Sequence, residues 1–450
     1  MSRPDPATDA PATGASTPER PSTDQSSTDQ PGIEMQYIES GEKRRQRIST
    51  GVLIAVVGVL LLVLLPSTTG MARFALSDAF DEVQLPTVSL PGVVTVLACA
   101  LLLLAAAVGF LSGRMAGRWP AIAGTIAGLA LVVGFLTWAA AGRDLPFPVS
   151  NQFAGTLSLA TPLVFGALCG VLCERSGVVN VSIEGQFLSA AFAAAVVGSL
   201  TQSVTAAVIA AILAGLAMAA LLAVFSINYL VNQVVLGVVL NLLAVGITGF
   251  LYDQLVEPAS STYNSAPVLD PISIPGLANI PFFGRVLFQQ NILAYMAGLS
   301  VLVVWLLLFR TTWGLRIRAT GEHPEAADTV GISVRGIRWS AVLVGGLFAG
   351  VGGSFFTLAS TGSFSKEFTV GNGFIALAAL IMGRWHPVYA AVMCLFFGFV
   401  TQMASQLQTL STPMPSQFLL ILPYVATIIA VAGLMGRVRP PAADGIPYEK

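Results

Sequence analysis

The polar residues best suited to binding a small molecule lie in one segment of an otherwise apolar stretch, CERSGVVNVSIEGQF at residues 173–187. Asn180, Glu184 and Gln186 supply amide and carboxylate groups there, and the neighbouring glycines permit an irregular backbone. In a membrane such groups are costly unless they face a protein interior or a water-filled path. We therefore predict a broken or re-entrant helix in which these three residues line a substrate pathway. The alternative is an interfacial loop whose charged residues pair with neighbours and lipid headgroups.

A second polar set marks the start of a later apolar run, NQVVLGVVLNLLA at residues 232–244. Asn232 and Gln233 stand at one end of the expected helix, and Asn241 lies deeper, roughly in the middle of the membrane. We predict that all three belong to the same pathway. For Asn241 the alternative is a hydrogen bond between helices, a contact worth under about 2 kcal/mol.

Residues 310–338, RTTWGLRIRATGEHPEAADTVGISVRGIR, form the only long, strongly charged interval between apolar runs. Pro324 suits the first turn of a helix, and the acidic residues after it suit the positive end of the helix dipole. Gly331 suits the end of that helix, so the pattern predicts about two turns. The small face of this helix consists of Ala326, Ala327 and Val330.

A small, smooth helical face of this kind fits the groove of a soluble partner protein. The arginines around it would orient that partner by charge pairing, and they are Arg316, Arg318, Arg335 and Arg338. The alternative is an ordinary loop whose arginines only set the membrane topology. The residues predicted to couple the chain to its partner are Gly321, Glu322, Glu325, Ala326, Ala327 and Gly331.

The sequence lacks the motifs of nucleotide-binding and hydrolytic enzymes. A P-loop needs a glycine-rich turn ending in Lys-Ser or Lys-Thr, and Lys43, Lys366 and Lys450 have no such setting. His323 and His386 lie outside any GxSxG or HExxH context, and the four cysteines all fall in apolar runs, where thiols pack as small hydrophobes. We expect no cofactor or metal on this chain, and its net charge of -1 offers no basic surface for nucleic acid.

The composition, with 55% hydrophobic and only 10% charged residues, is that of a multi-spanning membrane protein. The predicted fold class is all-α, a polytopic transmembrane helical bundle with about 12 hydrophobic segments. These segments lie near residues 48–65, 93–111, 119–141, 154–173, 185–200, 204–226, 232–252, 291–309, 339–359, 374–383, 387–403 and 417–435. The run at 374–383 has half the usual length, so it either crosses as a broken span or re-enters.

The basic residues are distributed unequally between the two sides of this bundle. With both chain ends inside, fifteen lysines and arginines of the predicted loops and flanks are cytoplasmic and four lie on the opposite side. This asymmetry predicts a cell-membrane protein whose N- and C-termini are cytoplasmic. Residues 1–47 include a long polar, proline-rich stretch and are expected to be a disordered cytoplasmic tail, and residues 437–450 a cytoplasmic C-terminal tail.

Three segments in series resemble the permease subunits of ATP-binding-cassette (ABC) importers for nucleosides and simple sugars, in the class of ribose and branched-chain amino-acid permeases. They are ERSGVVNVSIEG at 174–185, NQVVLGVVLNLLA at 232–244 and GNGFIALAALIMGRWHP at 371–387. The loop GEHPEAADTVGI at 321–332 is similar to the EAA-type coupling loop of such permeases. The Leu-Pro pair that follows this loop in many importers is absent here.

The resemblance implies a permease core at residues 146–436, preceded by accessory transmembrane helices at 48–145. It also implies a cytoplasmic ABC ATPase docked on the coupling loop, a second, related permease subunit and an extracellular substrate-binding lipoprotein. On this interpretation the chain is not an enzyme, ATP is hydrolysed by the partner, and nucleosides or related simple sugars are imported. The alternative function is a secondary transporter that is driven by an ion gradient without an ATPase.

Overall fold

The computed structural model describes residues 41–78, 83–115, 117–410, 417–419, 421, 425 and 439–449. Most of the predicted N-terminal tail at 1–47 and of the predicted last span at 417–435 therefore lies outside the described residues.

The described chain is mostly helical. Its α-helices are α1 Gly41–Leu64, α2 Gly92–Ser112, α3 Trp119–Ala140, α4 Val149–Arg175, α5 Ile183–Thr201, α6 Val204–Ala223, α7 Gln233–Leu251, α8 Ser260–Tyr263, α9 Phe283–Leu287, α10 Ile292–Arg310, α11 Thr312–Glu322, α12 Pro324–Thr329, α13 Val334–Phe356, α14 Asn372–Met382 and α15 Pro387–Thr409. Among the described residues, ten helices are long and apolar enough to cross a membrane, and α14 is a shorter apolar helix. The predicted polytopic helical bundle is therefore confirmed.

Short strands accompany the helices, which the all-α prediction did not include. In one sheet β1 Met71–Ala75 lies between β2 Val88–Pro91, with which it runs antiparallel, and β3 Phe147–Pro148, with which it runs parallel. In the second, β4 Ile272–Ser273 pairs antiparallel with β5 Gln289–Gln290. These strands satisfy backbone groups in the connections between apolar helices, where no helical partner exists.

Several helices begin where the sequence supplies a polar side chain to the first free backbone N–H groups. The capping residues are Ser203 for α6, Asn232 for α7, Asn291 for α10, Thr311 for α11 and Ser333 for α13. Such caps fix the start of each helix without a salt bridge in the apolar region.

The interior of the bundle is formed by α4 and α13, which are 83% and 78% buried over their apolar stretches, whereas α1 is only 17% buried. Glycines of the GGLFAGVGG run in α13 allow this close packing. A Cβ atom at Gly346 or Gly350 would collide with α6, and one at Gly353 would collide with α5. This run therefore serves close packing between helices.

Helices α1 to α3 form a separate apolar cluster around Leu61, Leu103 and Ala127. Trp138 of α3 packs with Met403 and connects this cluster to α15. A polar contact joins the same region to the connection before α10, because Arg285 Nη2 lies 2.8 Å from Asp78 Oδ2. The accessory helices therefore pack on the side of the bundle without entering its interior.

Residues 357–386 cross the bundle as a broken span. The beginning of α13 and the beginning of α15 lie at the same end, because Arg338 contacts Ser176 and the neighbouring Arg175 contacts Trp385. Since α13 ends at the opposite end, the connection to α15 must traverse the bundle. It does so through a π-helical turn at Thr357–Thr361, an irregular stretch and then α14, whose 11 residues span about 16 Å.

Candidate transport site and coupling surface

The predicted pathway segment forms a tight loop between α4 and α5. Asn180 is fully buried, and its Oδ1 accepts hydrogen bonds from the Ser182 backbone N–H at 3.1 Å and the Ser182 hydroxyl at 2.8 Å. Its Nδ2 donates to Cys169 Sγ at 3.2 Å. The side chain thus replaces the backbone partners that an irregular turn inside the bundle lacks.

Gln186 extends this hydrogen-bonded network one turn into α5. Its Oε1 accepts from Cys169 Sγ at 3.4 Å, and its Nε2 donates to the Ser182 hydroxyl at 3.3 Å. Cys169 is therefore more than a small hydrophobe, the role expected from sequence, since its sulfur contacts two polar side chains. Among the described residues, no group of three or more His, Cys, Asp or Glu side chains comes together as a metal site.

Glu184, in the first turn of α5, binds the beginning of α14. Its Oε1 accepts from the Thr369 hydroxyl at 2.5 Å and the Gly371 N–H at 2.9 Å, and its Oε2 accepts from the Gly373 N–H at 2.6 Å. These N–H groups belong to a helix start, where the dipole favours negative charge. One carboxylate in the first turn of α5 therefore holds the N-terminus of the half-length helix α14.

The predicted residues of α7 bind the same loop from the other side. Asn241 Oδ1 accepts from the Gly185 N–H at 2.8 Å, its Nδ2 donates to the Val181 carbonyl at 3.0 Å, and Gln233 Oε1 accepts from the Val179 N–H at 2.6 Å. Of the two interpretations for Asn241, the structure shows the contact between segments.

Asn232 stands apart from this network. Its Oδ1 caps α7 by accepting from the Val234 and Val235 N–H groups, each at 3.1 Å, and the residue is exposed. The structure therefore brings together five of the six predicted pathway residues, which we call the interior polar set: Asn180, Glu184, Gln186, Gln233 and Asn241. Glu184 is the member that is partly exposed. Lining a pathway stays a prediction for all six, because the contacts seen here are made within the chain.

A second set of contacts binds the end of α4 to the segment before α15. Trp385 Nε1 donates to Glu174 Oε2, and Arg175 Nε donates to the Trp385 carbonyl at 2.9 Å. Glu174 is only 3% exposed. The GRWHP sequence thus fixes the end of α14 to the α4 side of the loop between α4 and α5. Glu184, on the α5 side of the same loop, fixes the start of α14.

The short helix predicted in the charged interval is confirmed as α12. It begins at Pro324 and ends at Thr329, and Gly331 follows with a φ of +83°, a conformation that favours glycine. Glu325 and Ala326 are exposed on it, and Val330 just beyond its end is 75% exposed. The helix therefore presents a small, open face.

One residue of the predicted face points elsewhere. Ala327 is 3% exposed and packs with Val334 and Tyr448, so it does not share an open face with Ala326 and Val330. The reason is helix geometry, because consecutive residues lie about 100° apart around the axis, so Ala326 and Ala327 face different directions. Contact between Ala327 and a partner therefore stays a prediction, and in this structure the Ala327 side chain packs within the chain.

Arg338 also departs from its predicted role. It is 2% exposed, with Nε donating to the Ser176 carbonyl at 3.2 Å and Nη1 to the Ile446 carbonyl at 3.0 Å. It therefore binds two segments of its own chain rather than a partner, whereas Arg316 and Arg335 are exposed. The sequence offers no clear signal for this role, since Arg338 closes the charged interval at 310–338 just before the predicted apolar run at 339–359.

The remaining predicted coupling residues precede α12. Gly321 is buried, and its carbonyl accepts from the Ala443 N–H at 2.8 Å. Glu322 is exposed, and its Oε2 accepts from the Ala442 N–H at 3.3 Å. A groove of about 310 Å³ lies on the other side of α12, lined by Arg316, residues 330–333, Gly336 and Ile337. The exposed face and this groove together form the coupling surface.

Comparison with known proteins adds a family to this geometry. Residues 152–431 match the family model described as branched-chain amino acid transport system / permease component. The chain is 38% identical to the guanosine ABC transporter permease protein NupQ of Bacillus subtilis, over 66% of this chain and 95% of the relative. It is 37% identical to the nucleoside ABC transporter permease protein NupC of Lactococcus lactis, over 66% of this chain and 96% of the relative.

A third relative, the putative glucose ABC transporter permease protein TsgC13 of Haloferax volcanii, is 33% identical over 57% of this chain and 77% of its own length. No solved structure matches the chain. The family match covers helices α4 to α15, which include the interior polar set and the coupling surface. The chain belongs to the branched-chain amino acid transport system permease family and is a membrane-spanning permease subunit of an ABC transporter, not itself an enzyme.

Proposed function

We propose that this chain is the permease subunit of an importer for nucleosides, with guanosine as the first substrate to test. The observation that supports this substrate class is the match, at 38% and 37% identity, to nearly the whole length of a guanosine and a nucleoside permease. The putative glucose permease is less similar and is covered over 77% of its length. Simple sugars are therefore the second candidate substrate.

An ABC permease requires an ATPase, and the coupling surface is the part of this chain that suits one. Ala326 and Val330 are exposed beside a groove whose rim carries the exposed Arg316. A small helix face next to a groove can be held by a complementary partner, and the arginine favours an acidic counterpart. We place this surface in the cytoplasm, because the distribution of basic residues favours that side.

Within the membrane, we propose that the substrate passes beside the start of α14. Glu184 is partly exposed and holds Gly371 and Gly373 at that start, so a movement of α5 relative to α14 must stretch or break these contacts. A helix N-terminus held by one carboxylate forms a junction that we propose to have two arrangements, bound and released. The transition between them is the step that ATP binding in the partner would drive.

The complete importer that we propose has four kinds of component. Besides this chain and its ATPase, it contains a second, related permease and an extracellular lipoprotein that captures the nucleoside. The membrane is the cell membrane, with both chain ends in the cytoplasm. We propose that this chain binds no cofactor of its own, since ATP is bound and hydrolysed by the partner.

The proposal is tested by uptake into sealed vesicles that contain the four components. We expect labelled guanosine to accumulate when ATP is supplied on the ATPase side, and unlabelled nucleosides to compete while glucose does not. Vesicles that contain this chain alone, under a sodium or proton gradient, are the control. Competition by glucose but not by nucleosides would show that the substrates are simple sugars. Gradient-driven uptake by this chain alone would refute the requirement for an ATPase.

A further inference from the structure

The segment from residue 441 to 448, which we call the C-terminal segment, packs on the coupling loop although it lies beyond the family match, which ends at residue 431. Its sequence, PAADGIPY, has no apolar periodicity, so the sequence alone predicts a free tail. In the structure Ala443 is 3% exposed and Tyr448 is 8% exposed. A tail that buries these two side chains is ordered by the surface beneath it.

One side of the C-terminal segment holds the residues around α12. The Ala443 N–H donates to the Gly321 carbonyl at 2.8 Å, at the C-terminal end of α11 where carbonyl groups have no helical partner. Tyr448 packs with Ala327 of α12 and with Val334 at the start of α13. The segment therefore contacts the coupling loop before, within and after its short helix.

The other side of the C-terminal segment reaches the loop that follows α4. Arg338 donates to both the Ile446 carbonyl and the Ser176 carbonyl, so one buried guanidinium joins the two segments. Gly177, at a φ of +90°, leaves the space that this arrangement needs. A Cβ atom there would lie 2.7 Å from Arg338 Nη2 and 3.0 Å from the Ala443 carbonyl oxygen.

We propose that the C-terminal segment is a clasp that fastens the coupling helix α12 to the loop after α4, so that a displacement of α12 is transmitted to Glu174, the interior polar set and α14. Besides the clasp, Ala327 packs on Val334 at the start of α13 and Gly321 approaches the Arg175 carbonyl, so the clasp adds to these attachments of the coupling loop. The residues that position it are Gly177, Gly321, Ala327, Arg338, Ala443 and Tyr448. The transmission step rests on the proposed function, whereas the clasp itself does not.

The clasp is tested first on the purified chain alone. Two variants remove it, a chain that ends at Pro440 and Ala443→Asp, which places a charge at a buried position. Ile446→Asp is the matched control, because the Ile446 side chain is 54% exposed and only its backbone carbonyl accepts from Arg338. We expect amide hydrogen exchange at residues 321–334 to rise about tenfold in both clasp variants and to stay at the wild-type rate in the control. Wild-type exchange in both clasp variants would overturn the proposal.

Transmission is then tested in the complete transporter by the number of substrate molecules imported per ATP hydrolysed. We expect both clasp variants to retain the ATPase, since the exposed face of α12 is unchanged, but to import about tenfold less substrate per ATP. Loss of the ATPase, or a wild-type ratio, would refute a transmitting role even if hydrogen exchange had risen. Failure of the wild-type complex to import any nucleoside would refute the proposed function and leave the hydrogen-exchange result on the clasp intact.

Discussion

The sequence predicts a function for both the interior polar set and the coupling surface, yet the structure gives them opposite surroundings. In the first, polar side chains bind backbone and side-chain groups of the same chain, and Asn180 and Gln186 are fully buried. In the second, Val330 is 75% exposed and Arg316 is open to solvent. The difference indicates that the first region holds helices together and the second is available to another protein.

This comparison separates two consequences of substitution. A change in the interior polar set leaves buried backbone or side-chain polar groups without partners, which costs free energy of folding. A change on the coupling surface leaves the chain folded and affects only association with a partner. Measurements of stability and of ATPase binding on the same variants therefore distinguish the two regions.

The largest expected effect comes from Glu184→Ala. It removes the acceptor for the Gly371 and Gly373 N–H groups and the Thr369 hydroxyl, at a cost of roughly 3 kcal/mol or more. We expect most of the protein to lose its single size-exclusion peak in detergent, or to unfold at a much lower temperature than the wild type.

Glu184→Gln is the matched variant, because its amide keeps one acceptor oxygen and loses the charge. Its midpoint of thermal unfolding should fall between those of the wild type and Glu184→Ala. If Glu184→Ala kept wild-type stability but lost transport, the structural role of the interior polar set would be contradicted. Glu184 would then act in the pathway without supporting the fold.

On the coupling surface, Val330→Asp and Ala327→Asp are the informative pair, because they place the same charge at an exposed and at a buried position. We expect Val330→Asp to weaken ATPase binding about tenfold or more while thermal unfolding stays at the wild-type temperature. Ala327→Asp should instead disturb the packing with Tyr448 and raise hydrogen exchange at 441–448.

Pull-down of the ATPase and thermal unfolding are measured on both variants, with Arg335→Asp as an exposed control that lies outside the groove. Equal loss of ATPase binding in Val330→Asp and Arg335→Asp would mean that overall charge, not the coupling surface, controls binding.

The sequence predicted one region better than the other for a physical reason. The helix α12 was predicted with its start and end, because a proline at the first turn and a glycine at positive φ are local signals. The direction of Ala327 was not predicted, since it depends on Tyr448, which lies 121 positions later in the printed sequence. Contacts that join distant segments leave little trace in either segment alone.

The interior polar set illustrates the same limit. Its residue types marked the segment as unusual in an apolar chain, and that part of the prediction needed only the cost of polar groups in hydrocarbon. Which atoms satisfy them depends on the packing of α5, α7 and α14, which no single segment encodes. The sequence therefore located the site, but it did not show whether these residues line a substrate pathway or join the helices around it.

A smaller effect is expected for the two asparagines of α7. Asn241→Ala removes the acceptor for the Gly185 N–H and the donor to the Val181 carbonyl, inside the bundle, and should destabilise the protein by about 2 kcal/mol. Asn232→Ala removes an exposed helix cap and should cost about 1 kcal/mol. The order of their thermal midpoints tests whether the interior polar set is the more structural group. A larger loss for Asn232→Ala would reverse the assignment.

The smallest expected effect is a dependence of the clasp on pH. Burial raises the pKa of Asp444 to about 7 even though Arg338 acts to lower it, so the docked segment favours the neutral acid. Since the carboxyl has a pKa of about 4 in an unfolded chain, docking is strongest below pH 4 and weakens as the pH rises to about 7. After correction for the intrinsic rates of amide hydrogen exchange, amides of 441–448 should be roughly fivefold better protected at pH 5 than at pH 8.

The control is Asp444→Asn, which stays neutral and should show little pH dependence of that protection. If protection in this variant still fell with pH as in the wild type, the effect would belong to another group.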